Sequence, residues 1–183
     1  MVVKRTGKEI MSHSDYAIDV VIDNEGSEFT QILGDHGGAT KYGITWKLFK
    51  SIYPDATLDE LRNLTKPHAK LIYKQEFWDK APFEEINSMR IATSCFDAGV
   101  NSGLSQGVKL LQRAANGLLK PDLQLIVDGK LGKTTLKVVN TLDSTQLLAA
   151  LRNERAWFYE RIVERDPSQK IFLNGWLNRA KST

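Results

Sequence analysis

The sequence predicts a mainly α protein with one short glycine-rich loop or β-hairpin after the first helix. Apolar residues recur at spacings of three and four through most of the chain, which is the helical period. Ser, Thr and Asp stand where those periodic segments would open. Four glycines (Gly34, Gly37, Gly38 and Gly43) crowd into one non-periodic stretch. With 183 residues, 42% hydrophobic and 26% charged, the chain can bury a substantial core and is not a disordered polymer.

The elements follow in order. Ser14 is placed to cap a first helix whose stripe is Ala17, Ile18, Val21 and Ile22, with Asp15, Asp19 and Asp23 opposite. Gly26 should stop it just after Glu25. Residues 27–44 read as a loop or a short hairpin. Thr45 can cap a helix over 46–53, which Pro54 ends. Thr57 and Glu60 form a capping-box pattern, and Thr65 can cap a helix running to about Asp79. Another helix is expected over 88–100. The next carries Leu104, Val108, Leu111 and Ala115 and stops at Gly117. After a turn-rich 118–132 comes a helix over 133–142. Ser144 opens a long one with the stripe Leu147, Leu148, Leu151, Phe158 and Ile162, broken at Asp166-Pro167. A last helix holds Phe172, Leu173, Trp176 and Leu177. Trp78 and Trp176 are assigned to the core. The chain is thereby divided into a tail (1–13), a first lobe (14–102) and a second helical lobe (103–183), forming one compact unit.

Composition excludes several classes. A single cysteine, Cys95, excludes an internal disulfide. Asp35 and His36 are adjacent but have no third ligand in view, so neither a metal site nor a cofactor is expected. No apolar run exceeds five residues, against the ~20 of a membrane span, so stable membrane insertion is not expected. The basic residues Lys4 and Arg5 are not followed by an apolar segment, so no signal peptide is read there. The net charge of +3 is unevenly placed. Residues up to Ser102 carry twelve Lys and Arg against fifteen Asp and Glu, and the remainder thirteen against seven, a net of +6. A basic second lobe suits a polyanion, whether nucleic acid, an anionic membrane surface or bacterial cell wall. No recognition motif supports nucleic acid, which is not expected as a partner.

The residues with the clearest chemical content lie around the glycine-rich stretch. Glu25 ends the first predicted helix, where an anion opposes the macrodipole. Asp35 and Thr40 follow on a loop that glycines allow to turn tightly. An acid at a helix end, facing a loop with a second carboxylate and a hydroxyl, suits hydrolysis of a glycosidic bond. One carboxylic acid protonates the leaving oxygen, and the other polar groups hold water or steady an oxocarbenium-like centre. Tyr42 can stack on a sugar ring or anchor the loop. Asp97 and Asn101 share one helix face, and Asn101 can either bond substrate amides or cap its own helix.

Glu25-Gly26, then Asp35-His36-Gly37-Gly38-Ala39-Thr40-Lys41-Tyr42-Gly43-Ile44-Thr45, resembles the signature of glycoside hydrolase family 108, N-acetylmuramidases of the phage-endolysin type, some of them known as secretion activators. The likeness runs on through Ile72-Tyr73, Phe77-Trp78, Phe96-Asp97-Ala98-Gly99-Val100-Asn101-Ser102-Gly103, Asp128-Gly129-Lys130-Leu131-Gly132 and Phe172-Leu173-Asn174-Gly175-Trp176-Leu177. Ser27 stands where the family has a second glycine. The resemblance implies a lysozyme-like helical fold that cleaves between N-acetylmuramic acid and N-acetylglucosamine in bacterial peptidoglycan, with Glu25 as catalytic acid and residues 14–102 as the catalytic lobe. The spacing of Glu25, Asp35 and Thr40 is similar to the Glu, Asp and Thr trio of phage lysozymes, which implies catalytic roles for all three. Tyr42 and Asn101 are the candidate substrate-binding residues. Residues 118–142, within the second lobe, are similar to helical peptidoglycan-binding modules. With no signal peptide or membrane anchor read, the expected biology is a monomeric phage or prophage endolysin, kept in the host cytoplasm until a holin releases it to the periplasmic wall, or else a bacterial effector delivered by a dedicated secretion machine. Glu25 is expected to be kept protonated by partly apolar surroundings. The alternatives are a non-catalytic peptidoglycan-binding or secretion-regulating protein, and a lytic transglycosylase using the same glutamate.

Overall fold

The computed structural model describes residues 11–31 and 38–183. It is a mainly α, lysozyme-like arrangement with a two-stranded sheet among the described residues. Helix α1 (His13–Glu25) is followed by strands β1 (Thr40–Lys41) and β2 (Ile44–Thr45), then α2 (Trp46–Ile52), α3 (Leu58–Arg62) and α4 (Lys66–Glu76). The remainder is α5 (Met89–Ser102), α6 (Leu104–Asn116), α7 (Lys133–Thr141), α8 (Ser144–Arg165) and α9 (Lys170–Ser182).

Local sequence explains most helix starts. Thr45, Thr57 and Thr65 accept the backbone N–H three residues on, and Thr57 with Glu60 closes a reciprocal capping box. Two expectations are corrected. The first helix is capped by Ser12, whose Oγ accepts from the Asp15 N–H, while Ser14 lies inside the helix and is buried. The Ser14 reading failed because two serines at i and i+2 offer competing caps. Helix α4 stops at Glu76 and not near Asp79, because the chain tightens into a 3₁₀ turn over Trp78–Lys80.

The hairpin turn is Tyr42-Gly43. Both residues have positive φ (53° and 72°), as a two-residue turn with the twist of its flanking strands requires. A backbone bridge between Thr30 and Thr40 ties the base of the glycine-rich stretch.

Helix α5 is the centre of the molecule. Every residue from Ile91 to Gly99 is buried, so no face of that segment is left to water. A helix buried around its whole circumference must be covered from several sides, and α1, α6 and α8 cover it. Helix α6 approaches most closely at Gly107, where an added Cβ would sit 2.6 Å from the Cys95 carbonyl oxygen and 2.7 Å from the Gly99 nitrogen. Helix α9 packs on α8. Its Trp176 is half-buried against Tyr159 and Phe172, at the lip of a cleft and not in the core as its hydrophobic spacing suggests.

Candidate active site

Glu25 is the last residue of α1. Gly26, at φ +80°, turns the chain away while its N–H caps the Ile22 carbonyl at 3.0 Å. An acid at this end of a helix costs about 0.3–1 kcal/mol against the macrodipole, so its position depends on a partner. That partner is Arg179 of α9, 154 residues later in sequence, whose Nη1 donates to Glu25 Oε1 at 2.7 Å.

Arg179 is itself held. Its Nε donates to Asp97 Oδ1 at 2.8 Å, and Arg155 Nη2 donates to Asp97 Oδ2 at 2.5 Å. Asp97 and Arg155 are wholly buried. Glu25, Arg179, Asp97 and Arg155 therefore alternate in sign across α1, α9, α5 and α8. A lone buried carboxylate would be costly; here each Asp97 oxygen meets its own guanidinium, the charge-assisted geometry that offsets desolvation. Burial by itself pushes the Arg179 guanidinium down, but Asp97 and then Glu25 outweigh it and hold it above the ordinary arginine range. Arg155 also donates to Ser94 and to the Thr183 hydroxyl.

The opposite side of Glu25 is backbone. A Cβ added at Gly43 would lie 2.5 Å from Glu25 Cγ and 2.7 Å from Oε2, so the hairpin presses on the carboxyl group and only glycine fits. The turn is fixed by Tyr73, whose hydroxyl donates to the Tyr42 carbonyl at 2.9 Å. Burial, then the nearby Glu25 charge, push the Tyr73 phenol far above its ordinary value, which keeps that proton in place.

Glu25 and Asn101 line a common cleft of about 650 Å³, walled by Phe172, Trp176 and Arg179 of α9. Asn101 is exposed one turn beyond Asp97; Gly103 is the residue at the helix end, so Asn101 does not cap α5. Thr40 and Tyr42 do not line this cleft. The Thr40 hydroxyl lies 2.7 Å from that of Thr30, and Tyr42 is half-buried against the core. Asp35 and His36 lie outside the described residues. The surroundings of Glu25 combine the apolar Ile171, Phe172 and Trp176 of the cleft with Arg179, which faces the carboxyl group directly.

Sequence reasoning missed Arg155 and Arg179. Arg155 was detectable, because it stands four residues from both Leu151 and Tyr159 on the buried stripe of α8, where an unpaired charge would be intolerable. Arg179 has no such local signal, as its helix is mostly exposed.

Residues 18–103 match the family model for glycosyl hydrolase 108, and residues 106–181 match that for a predicted peptidoglycan domain. No curated protein matches the chain. Among solved structures, it is similar in fold to SagA of Brucella abortus, with a TM-score of 0.72 and 24% identity over 92% of this chain and 90% of that one. A helical lysozyme-like scaffold, an acid in a cleft and two adjoining family matches converge: residues 18–103 are a glycosyl hydrolase 108 domain joined to a predicted peptidoglycan domain, and the chain is a glycosidase that acts on peptidoglycan.

Proposed function

We propose that the protein is an N-acetylmuramidase that hydrolyses the bond between N-acetylmuramic acid and N-acetylglucosamine, with Glu25 as general acid. One observation carries this reading. Glu25 is the only carboxylic acid among the described residues lining the cleft, whose volume of about 650 Å³ falls in the range of small-ligand sites.

The geometry suggests the division of labour. When protonated, Glu25 can keep the Arg179 hydrogen bond through Oε1 as its carbonyl oxygen. The hydroxyl on Oε2, beside Gly43, then gives its proton to the leaving glycosidic oxygen as the carbon–oxygen bond breaks. Positive charge develops at the anomeric carbon, and water completes the hydrolysis. Asp35 and Thr40 are assigned to holding that water or steadying the charge. Asn101 offers an amide to the N-acetyl groups of the glycan; Tyr42, outside the lining of the cleft, is assigned to a sugar ring reaching past it on the hairpin side of Glu25. Arg179 is a positioning residue.

Mass spectrometry of digested sacculi tests the reading. A muramidase leaves N-acetylmuramic acid at the new reducing ends, each product one water heavier than the anhydro form. Reducing N-acetylglucosamine ends would make the enzyme a glucosaminidase, and anhydro-muramic ends a lytic transglycosylase.

The biological role that accompanies this chemistry is that of a monomeric endolysin, held in the host cytoplasm and released to the cell wall by a holin. None of the described helices is long and apolar enough to cross a membrane. Expression alone should leave cells intact, and co-expression of a holin should lyse them.

A further inference from the structure

A second cleft, of about 500 Å³, lies between α6 and α8, within the region that matches the peptidoglycan domain. Arg113, Arg161 and Arg165 line it, with Glu154 and Trp157. None of the three arginines lies within ion-pair distance of a carboxylate among the described residues. Arg161 instead lies over the Trp157 ring, 4.7 Å from its centroid, and Trp157 is 49% exposed. Stacking orients the guanidinium while leaving its N–H edge free to meet an anion. Glu154 contributes the opposite feature, since its Oε2 is buried with no hydrogen-bond partner among the described residues. A buried acceptor of this kind calls for a donor.

The lining therefore asks for a ligand with two or more carboxylates, a donor such as an ammonium group, and some apolar surface for Trp157. Peptidoglycan offers this combination in its stem peptides and not in its glycan strand, whose sugars carry hydroxyl and acetamido groups and no amine, and whose lactyl carboxyl is tied up as an amide to the peptide. We infer that the α6–α8 cleft is a stem-peptide site: Arg113, Arg161 and Arg165 take the peptide carboxylates and Glu154 takes its free amine. The inference rests on peptidoglycan being the polymer acted upon, and not on Glu25 being the catalytic acid. The enzyme would then grip the wall by its peptides with one cleft while cutting the glycan in the other.

The test uses the full chain carrying Glu25→Gln, so that the polymer is not consumed, in co-sedimentation with sacculi rich in diaminopimelate. One sample of sacculi is left intact and another is stripped of stem peptides by an amidase, with the lactyl carboxylates thereby freed converted to methyl amides. Binding should be strong to intact sacculi and fall by about tenfold or more on the bare glycan, the loss expected when charge-assisted hydrogen bonds are removed. Adding Arg161→Ala and Arg165→Ala should lower binding to intact sacculi by a similar factor and leave binding to bare glycan unchanged. Both side chains are at the surface, so thermal melting should confirm an unaltered fold. Equal binding to both polymers, or no effect of the two arginine substitutions on intact sacculi, would overturn the proposal. Neither result would bear on Glu25, whose assignment stands or falls on the digestion products.

Discussion

Glu25→Gln keeps the shape of the side chain and the Arg179 contact but removes the proton donor of the proposed mechanism. Activity on sacculi should fall by at least ~100-fold in a protein of unchanged melting temperature, the low end of what general acid catalysis supplies. Lysis near the parental rate would sink the assignment. Asp35→Asn and Thr40→Ala should cost less, since neither group is the proton donor. Arg179→Ala tests positioning. It frees the Glu25 carboxyl and leaves one Asp97 oxygen without its guanidinium, so kcat should drop by ~10–100-fold while KM changes little. Arg179→Lys, which supplies charge without the fork, should recover only part of the loss. Gly43→Ala is the smallest change with a comparable expected effect, because the added methyl must displace the Glu25 side chain. At the same scale, Cys95 is wholly buried and its thiol is pushed up to about 12 by burial, so it should resist alkylation until the protein unfolds.

The links between helices are of two kinds, and they predict different pH and mutational behaviour. The Asp97–Arg155 pair joins α5 to α8 away from water. Arg155→Met leaves Asp97 with only Arg179 and should destabilise the protein by about 3–5 kcal/mol in denaturant titrations, whereas replacing both residues by apolar ones of similar size should cost much less. The Asp19–Lys70 contact, at 2.8 Å, joins α1 to α4 nearer the surface. Burial raises the Asp19 carboxyl, but the hydrogen bond and charge of Lys70 outweigh it and leave the group below the usual aspartate value. Its contribution is therefore complete above the unfolded pKa of about 4 and lost as pH falls through the lower folded value. Asp19→Asn should reduce stability by roughly 0.2–1 kcal/mol at pH 7, with the difference shrinking as pH falls below the unfolded value of about 4. Elements of this sort were legible to different degrees. Thr45, Thr57 and Thr65 announce their helices because a cap is a contact across three residues. The hairpin was legible in part: the glycines mark a turn, but the positive φ of Tyr42 depends on the strands around it and on Tyr73 holding its carbonyl. Glu25 and Asn101 could be nominated from sequence, and they share a cleft. Arg179 could not, because its meaning arises only when α9 docks 154 residues away from α1.

In the whole molecule, the basic second half and the acidic first half meet through α5. Residues after Ser102 carry a net charge of +6, and exposed charges are screened beyond ~8 Å at physiological ionic strength. Binding of the Glu25→Gln protein to sacculi should weaken steadily as salt is raised; salt-independent binding would show that this charge has no part in holding the wall. A chain ending at Gly103 should fail to fold cooperatively, as judged by near-ultraviolet circular dichroism and thermal melting. It would expose the sides of α5 that α6 and α8 cover. The reach of Arg179 across this boundary also bears on how such enzymes can be recombined. Swapping the C-terminal half for that of a relative would not exchange one anchor for another. It would transplant the partner of the proposed acid, and a chimera should work only if the incoming half brings an arginine at the place of Arg179 and the resident half keeps Asp97 to receive it. The two halves are bound to change together, as a lock and the key cut for it.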